Sequence, residues 1–137
     1  MQLAPPQLVA HLQKGLRSLY TLHGDEPLLI QEAADAIRAT ARAQGYTERT
    51  VFTVAGAHFD WSAVLASGSE MSLFGDRQIV ELRIPSGKPG KEGGAALQQL
   101  AEAAARNDSV LTLVLLPRLD AATQKTAWFM ALDNLEI

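Results

Sequence analysis

The sequence predicts a three-layer α/β domain built on a mainly parallel sheet with right-handed crossovers. Two observations carry that expectation. Helix-like and strand-like patterns alternate along the whole chain, one helix followed by four strand–helix units, which is the order of a parallel-sheet fold. One strand, Val110-Leu111-Thr112-Leu113-Val114-Leu115-Leu116, is almost uninterrupted apolar sequence. It is too short for a typical helix, and it reads as a strand covered on both faces. The 137 residues suit one domain that buries roughly two-thirds of its unfolded surface.

The elements follow in order. After Pro5-Pro6, residues 7–14 place Leu8, Val9 and Leu12 on one side of a short helix that Gly15 stops. Residues 18–22 form a strand ending at His23-Gly24. Pro27 suits a first helical turn, and Asp25 and Glu26 suit its positive end. Leu29, Ala33, Ala36, Ile37 and Ala41 then recur at helical spacing until Gly45, a helix C-terminal signal. Thr50-Val51-Phe52-Thr53-Val54 is β-branched and aromatic and predicts a strand. Asp60 caps a short helix holding Trp61, Val64 and Leu65, which gives out near Gly68. In the strand over 78–84, Val80, Leu82 and Ile84 share one face while Glu81 and Arg83 share the other, which is expected to be wet. Residues 85–91 read as a loop leading into an Ala-rich helix that ends near Arg106-Asn107. After residues 110–116, Asp120 caps a helix running through Trp128, Phe129 and Leu132, with the aromatic pair in the core.

Composition excludes several classes of function. Twelve Lys and Arg against fifteen Asp and Glu give a net charge of -3, which argues against a free-standing nucleic-acid binder. Cysteine is absent, so disulfide scaffolds, thiol nucleophiles and Cys-based zinc sites are all removed. No apolar run approaches the roughly twenty residues of a membrane helix. The N-terminal residues lack a secretory pattern, so a cytoplasmic globular domain is expected.

In such folds phosphates bind at the first strand–helix turn, here Gly24-Asp25-Glu26-Pro27-Leu28-Leu29-Ile30-Gln31. Aligned on G-x-x-x-x-G-K-S/T from Gly24, the turn puts Leu29 at the second glycine, Ile30 at the phosphate-binding lysine and Gln31 at the magnesium-ligating hydroxyl. Asp25 and Glu26 would repel a triphosphate. The position suits a nucleotide and the chemistry is missing. Other catalytic patterns are absent too. His11, His23 and His58 are scattered and have no ligand spacing, so they read as surface or satisfied histidines. No G-x-S-x-G elbow exists, and Ser67-Gly68-Ser69 reads as a helix end. The third strand ends Arg83-Ile84-Pro85, without the acids of an ATPase or the aspartate of a phospho-acceptor receiver. No catalytic residue, metal ligand or cofactor is assigned.

One segment is hard to explain as structure. Met71-Ser72-Leu73-Phe74 puts three large apolar residues in a short connection flanked by Gly68, Ser69, Gly75 and Asp76. Connections run over the surface and are usually polar, so these side chains are either tucked under the sheet or held out for a partner. The pattern alone favours the tucked arrangement, because large apolar residues are mostly buried.

Across nearly its whole length the chain resembles the first domain of the delta subunit of the bacterial DNA polymerase III clamp loader. The resemblance is carried by the Leu8 to Leu12 helix, the Gly24-Asp25-Glu26-Pro27-Leu28-Leu29 turn and Asp60-Trp61. It continues through Met71-Ser72-Leu73-Phe74, residues 110–116 and Ala127-Trp128-Phe129; the tetrad after a Trp-containing helix is its most specific element. The resemblance implies an AAA+-like, P-loop-like domain that has lost nucleotide binding, in keeping with the degenerate loop at Gly24, Leu29, Ile30 and Gln31. It implies a mechanical role in replication: gripping the ring-shaped sliding clamp, the beta subunit, and opening it for DNA. The clamp-binding residues map to Met71, Ser72, Leu73 and Phe74, with Leu73 and Phe74 inserted in the clamp's pocket, which turns the expectation for this loop from tucked to exposed. The implied partners are the clamp and the other loader subunits, with DNA contacted only indirectly and no membrane involved. Residues 1–137 would be the single AAA+-like N-terminal domain of a truncated chain, without the lid and collar domains. Asn134-Leu135-Glu136-Ile137 looks like the start of a further strand. The competing reading is a nucleotide-dependent α/β ATPase or enzyme with an atypical phosphate loop, and ATP binding separates the two.

Overall fold

The structure is a computed structural model that describes residues 5–54, 59–69, 77–106, 109–132 and 134–136. Among the described residues eleven elements follow in chain order: α1 (Pro5–Lys14), β1 (Leu19–His23), α2 (Pro27–Ala43), β2 (Tyr46–Thr53), α3 (Trp61–Ser69), β3 (Arg77–Arg83), α4 (Gly90–Ala104), β4 (Val110–Leu115), α5 (Ala121–Gln124), α6 (Ala127–Ala131) and β5 (Asn134–Glu136). The five strands form one sheet in the order β2-β3-β4-β1-β5. Every pairing among the described residues is parallel, in keeping with the mainly parallel sheet expected. The expected further strand at the chain's end is β5, which pairs with β1 through Leu22 and Leu135.

Two apolar layers sandwich the sheet, which makes the fold three-layered as its pattern predicts. On one face α1 and α2 contribute Leu8, Leu12, Ile30, Ala34 and Ile37 against Tyr20, Leu22, Leu111 and Leu113. On the other, α3, α4 and α6 contribute Trp61, Val64, Leu97, Trp128 and Phe129 against Leu82 and Val114. All six residues of β4 are buried because alternate side chains enter opposite layers. Strand β2 has one paired edge and is mostly exposed, and it begins four residues before the expected Thr50. Its early part pairs with β3 across a register shift between Tyr46 and Glu48, a local irregularity that its polar Thr47-Glu48-Arg49 sequence does not announce.

Two expectations are corrected. The single helix after Asp120 is two short ones. Asp120 caps the first by accepting from the Thr123 amide at 2.7 Å. Thr126 then takes an extended backbone, and its hydroxyl donates to the Thr123 carbonyl at 2.6 Å. A threonine that bonds the preceding turn offers the backbone an alternative to continuing the helix, and no Gly or Pro marks the break. The second correction concerns the face of β3 expected to be wet: Glu81 is completely buried.

Candidate functional site

The turn after β1 lies at the carboxyl edge of the sheet, beside a cavity of about 550 Å³ whose lining includes Gly24, Asp25, Ile30, Gln31, Arg83 and Arg118. A second hollow of about 940 Å³ adjoins it along His23, Gly24, Arg118 and Asp120. The space is where a parallel-sheet fold holds ligands. The residues that line it are not those of a phosphate loop. Helix α2 begins at Pro27, with Glu26 as its cap residue and no side-chain cap hydrogen bond. The Ile30 amide donates to the Glu26 carbonyl at 3.1 Å, so residue 30 already sits within regular helix. Its side chain is buried in the layer with Ala33, Ala34 and Ile37, and it gives the cavity an apolar wall where a lysine would bring charge. Gln31 is exposed, Leu29 is half-buried, and Asp25 and Glu26 are exposed at the mouth. Gly24 is not among the glycines with positive φ, so the turn lacks the left-handed residue that aims successive amides at an anion.

The acid nearest this edge on β3 is Glu81, and it is fully engaged. Its Oε1 accepts from Arg38 at 2.8 Å and from Arg49 at 3.0 Å, and its Oε2 accepts from Arg83 at 2.7 Å. Arg38 also reaches Asp35 at 2.6 Å. Burial alone would push the Glu81 carboxyl up; the Arg83 hydrogen bond and the charges of Arg38 and Arg49 outweigh it and hold the group below the ordinary glutamate range. The carboxylate ties β3 to α2 and to the edge strand β2. Among the described residues no group of three His, Asp or Glu side chains is placed to hold a metal.

The residues assigned to partner binding, Met71, Ser72, Leu73 and Phe74, lie outside the described residues. The described ends of their connection are the close of α3 and the start of β3, at the amino edge of the sheet and opposite the Gly24 turn. Both flanking elements are held by bonds and packing. Asp60 caps α3, its carboxylate accepting from the Ser62 hydroxyl and amide, which lowers its pKa. The Trp61 indole is buried against α4 at Gly93, where a Cβ would stand 2.4 Å from Cζ2. Gln78 Nε2 donates to the Ser67 carbonyl at 3.0 Å, joining the last turns of α3 to the first residues of β3. Arg77 sits over the Tyr46 ring, 5.5 Å from its centroid.

The two described histidines form no constellation. His23 is buried edge-on to Phe129 with ring centroids 5.2 Å apart. His11 stands edge-on to Tyr20 at 6.0 Å, and its buried Nε2 has no hydrogen-bond partner among the described atoms, so it is not the satisfied histidine expected. His58 lies outside the described residues. Sequence reasoning missed three features: the Glu81 cluster, the Gln78 tie and the seating of two tryptophans on Gly93 and Gly94. Only the Gly93-Gly94 pair inside an Ala-rich helix pattern signalled any of them, because glycine there costs helix stability and needs a packing reason.

Comparison with known proteins bears on this architecture directly. The family model for DNA polymerase III, delta subunit, matches residues 20–136. The DNA polymerase III subunit delta of Escherichia coli strain K12 is 38% identical over 139 residues, spanning 100% of this chain and 39% of that protein. Its counterpart in Haemophilus influenzae is 33% identical over 135 residues, spanning 96% of this chain and 37% of that protein. The chain thus spans about two-fifths of the length of these relatives. The Bacillus subtilis DNA clamp loader delta protein superimposes with a TM-score of 0.71 at 19% identity, over 98% of this chain and 42% of that one, and shares this α/β fold. On its sequence and its fold together, the chain belongs to the DNA polymerase III delta subunit family.

Proposed function

We propose that this chain is the non-catalytic, clamp-gripping domain of a clamp-loader subunit, and that it helps open the sliding clamp for loading onto DNA. The supporting observation is the Met71-Ser72-Leu73-Phe74 tetrad between α3, which Trp61 packs against α4, and β3, which Gln78 ties to Ser67 of α3. Leu73 and Phe74 act as paired anchors in a preformed apolar pocket of the clamp. Burying both supplies roughly 3–6 kcal/mol before ordering costs, the scale of interface hot spots. Gripping alone opens nothing: the ring opens only if the loader binds the open interface more tightly than the closed one. The other loader subunits are further partners, and the Gly24 turn takes no nucleotide, since Ile30 and Gln31 stand where a lysine and a hydroxyl are needed. The experiment is a titration of the folded chain with the cognate sliding clamp. Saturable one-to-one binding is expected; no binding by correctly folded protein overturns the proposal.

The carboxyl-edge cavity favours one competing reading, a nucleotide-dependent ATPase or enzyme with an atypical loop. Equilibrium ATP binding decides between them. Micromolar, magnesium-dependent binding would replace the proposal with that reading.

A further inference from the structure

We propose that the cavity at the carboxyl edge of the sheet binds an apolar carboxylate, a ligand with a hydrocarbon or aromatic body and one negative charge. The inference is independent of the role proposed for Leu73 and Phe74. The cavity holds about 550 Å³, within the roughly 300–1,000 Å³ typical of small-molecule sites. Three prolines line it, one following each of β1, β3 and β4: Pro27, Pro85 and Pro117. A proline ring has a fixed φ and almost no rotamer freedom, so this apolar lining is pre-formed and loses little on binding. Ile30 and Leu116 extend the apolar wall.

Two guanidiniums supply the polar end. Arg83 donates to Glu81 through Nε alone, and its Nη groups have no partner among the described residues. Arg118 is exposed and has neither a hydrogen bond nor an ion pair among the described residues. Helix α2 opens at Pro27 without a side-chain cap, so its positive end also favours an anion there. The balance of charge then sets how much negative charge the site takes. Asp35 and Glu81 together answer Arg38, Arg49 and Arg83, two carboxylates against three guanidiniums. Arg118 adds a positive charge to the lining and Asp25 a negative one, which leaves an excess of one positive charge. A single carboxylate matches that excess and accepts paired hydrogen bonds from a guanidinium fork. A polyphosphate exceeds it and is repelled by Asp25.

The test uses the intact subunit and phenylbutyrate as the probe, followed by saturation-transfer NMR and by equilibrium titration. Saturable one-to-one binding is expected, at least about tenfold tighter than binding of phenylbutanol, which has the same body and no charge. Arg118→Gln changes an exposed, unpaired residue, so it should leave folding intact and weaken probe binding about tenfold, the scale of one hydrogen bond to a charged group. Asp25→Asn should strengthen binding about two- to fivefold, because it removes the opposing carboxylate from the lining. A short peptide ending in leucine, compared as the free acid and as the C-terminal amide, separates two sources of the same chemistry. Tighter binding of the free acid than of phenylbutyrate assigns the site to a chain terminus, and weaker binding assigns it to a small molecule. Equal binding of phenylbutyrate and phenylbutanol, no binding of either, or wild-type affinity in Arg118→Gln overturns the proposal. Magnesium-dependent displacement of the probe by ATP overturns it as well, and shows the cavity to be a nucleotide site.

Discussion

Gly93 is the seat of Trp61: a Cβ at residue 93 would lie 2.4 Å from Cζ2 and 2.7 Å from Cε2 of the indole, and 2.8 Å from Cβ of Pro89. The contact locks α3 to α4 and explains a glycine in the interior of a helix otherwise rich in good helix formers. The neighbouring Gly94 faces Trp128 less tightly, with its nearest atom at 3.3 Å.

These distances separate two otherwise similar substitutions. Gly93→Ala gains about 0.5–1 kcal/mol of helix propensity but drives a methyl into a buried ring, so a net loss of about 1–3 kcal/mol is expected. Gly94→Ala needs a shift of only a few tenths of an ångström at Trp128 and should be near neutral. Denaturant unfolding of both variants checks the pair; equal behaviour would show that the Trp61 seat tolerates a methyl.

The Glu81 cluster predicts a specific response to acid. Its carboxyl is held below the ordinary value of 4.5 in the folded chain, so its stabilisation is present above that pH and is lost as pH falls through the lower folded-state value. Glu81→Gln leaves Arg38 with a buried guanidinium short of its charge partner, and should cost about 3 kcal/mol or more at pH 7. The variant's unfolding free energy should also fall less steeply below about pH 4.5 than the wild type's. Parallel pH curves for the two proteins would contradict this assignment.

The Gly24 turn predicts an absence that mutation does not repair. The wild-type chain is expected to show no ATP turnover. Ile30→Lys should gain none, since no magnesium-holding acids accompany it, and should lose about 2 kcal/mol of stability because residue 30 is buried in the α2 layer. Loader-like turnover after that single change would mean that the phosphate-loop register is misplaced.

Much of this fold is legible in one sequence. Residues 110–116 reveal the central strand because being covered on both faces removes every polar alternation, and Pro27 and Gly45 bracket α2 because each has a backbone preference of its own. What escapes are features set by distant partners. Glu81 alternates with apolar residues as a solvent-facing residue would; beside its strand neighbour Arg83, its charge is met by Arg38 on α2 and Arg49 on β2, 43 and 32 positions away. The break at Thr126 depends on a hydroxyl that bonds the preceding turn, and the Gln78 tie on an amide that reaches back across 11 positions. At the phosphate-loop position the missing lysine was visible, since the motif is local. The role proposed for the tetrad rests on resemblance, because an apolar connection has the same composition whether it faces the core or a partner.

The central claim is that Leu73 and Phe74 serve a partner and not the core. The most direct measurement pairs a melting curve with a sliding-clamp titration for Leu73→Ala and for Phe74→Ala. The expected result is a loss of about 1–4 kcal/mol in clamp binding for each variant, with folding stability nearly unchanged. A stability loss of about 2–5 kcal/mol, with clamp affinity unchanged in the folded protein that remains, would contradict it and return both side chains to the core.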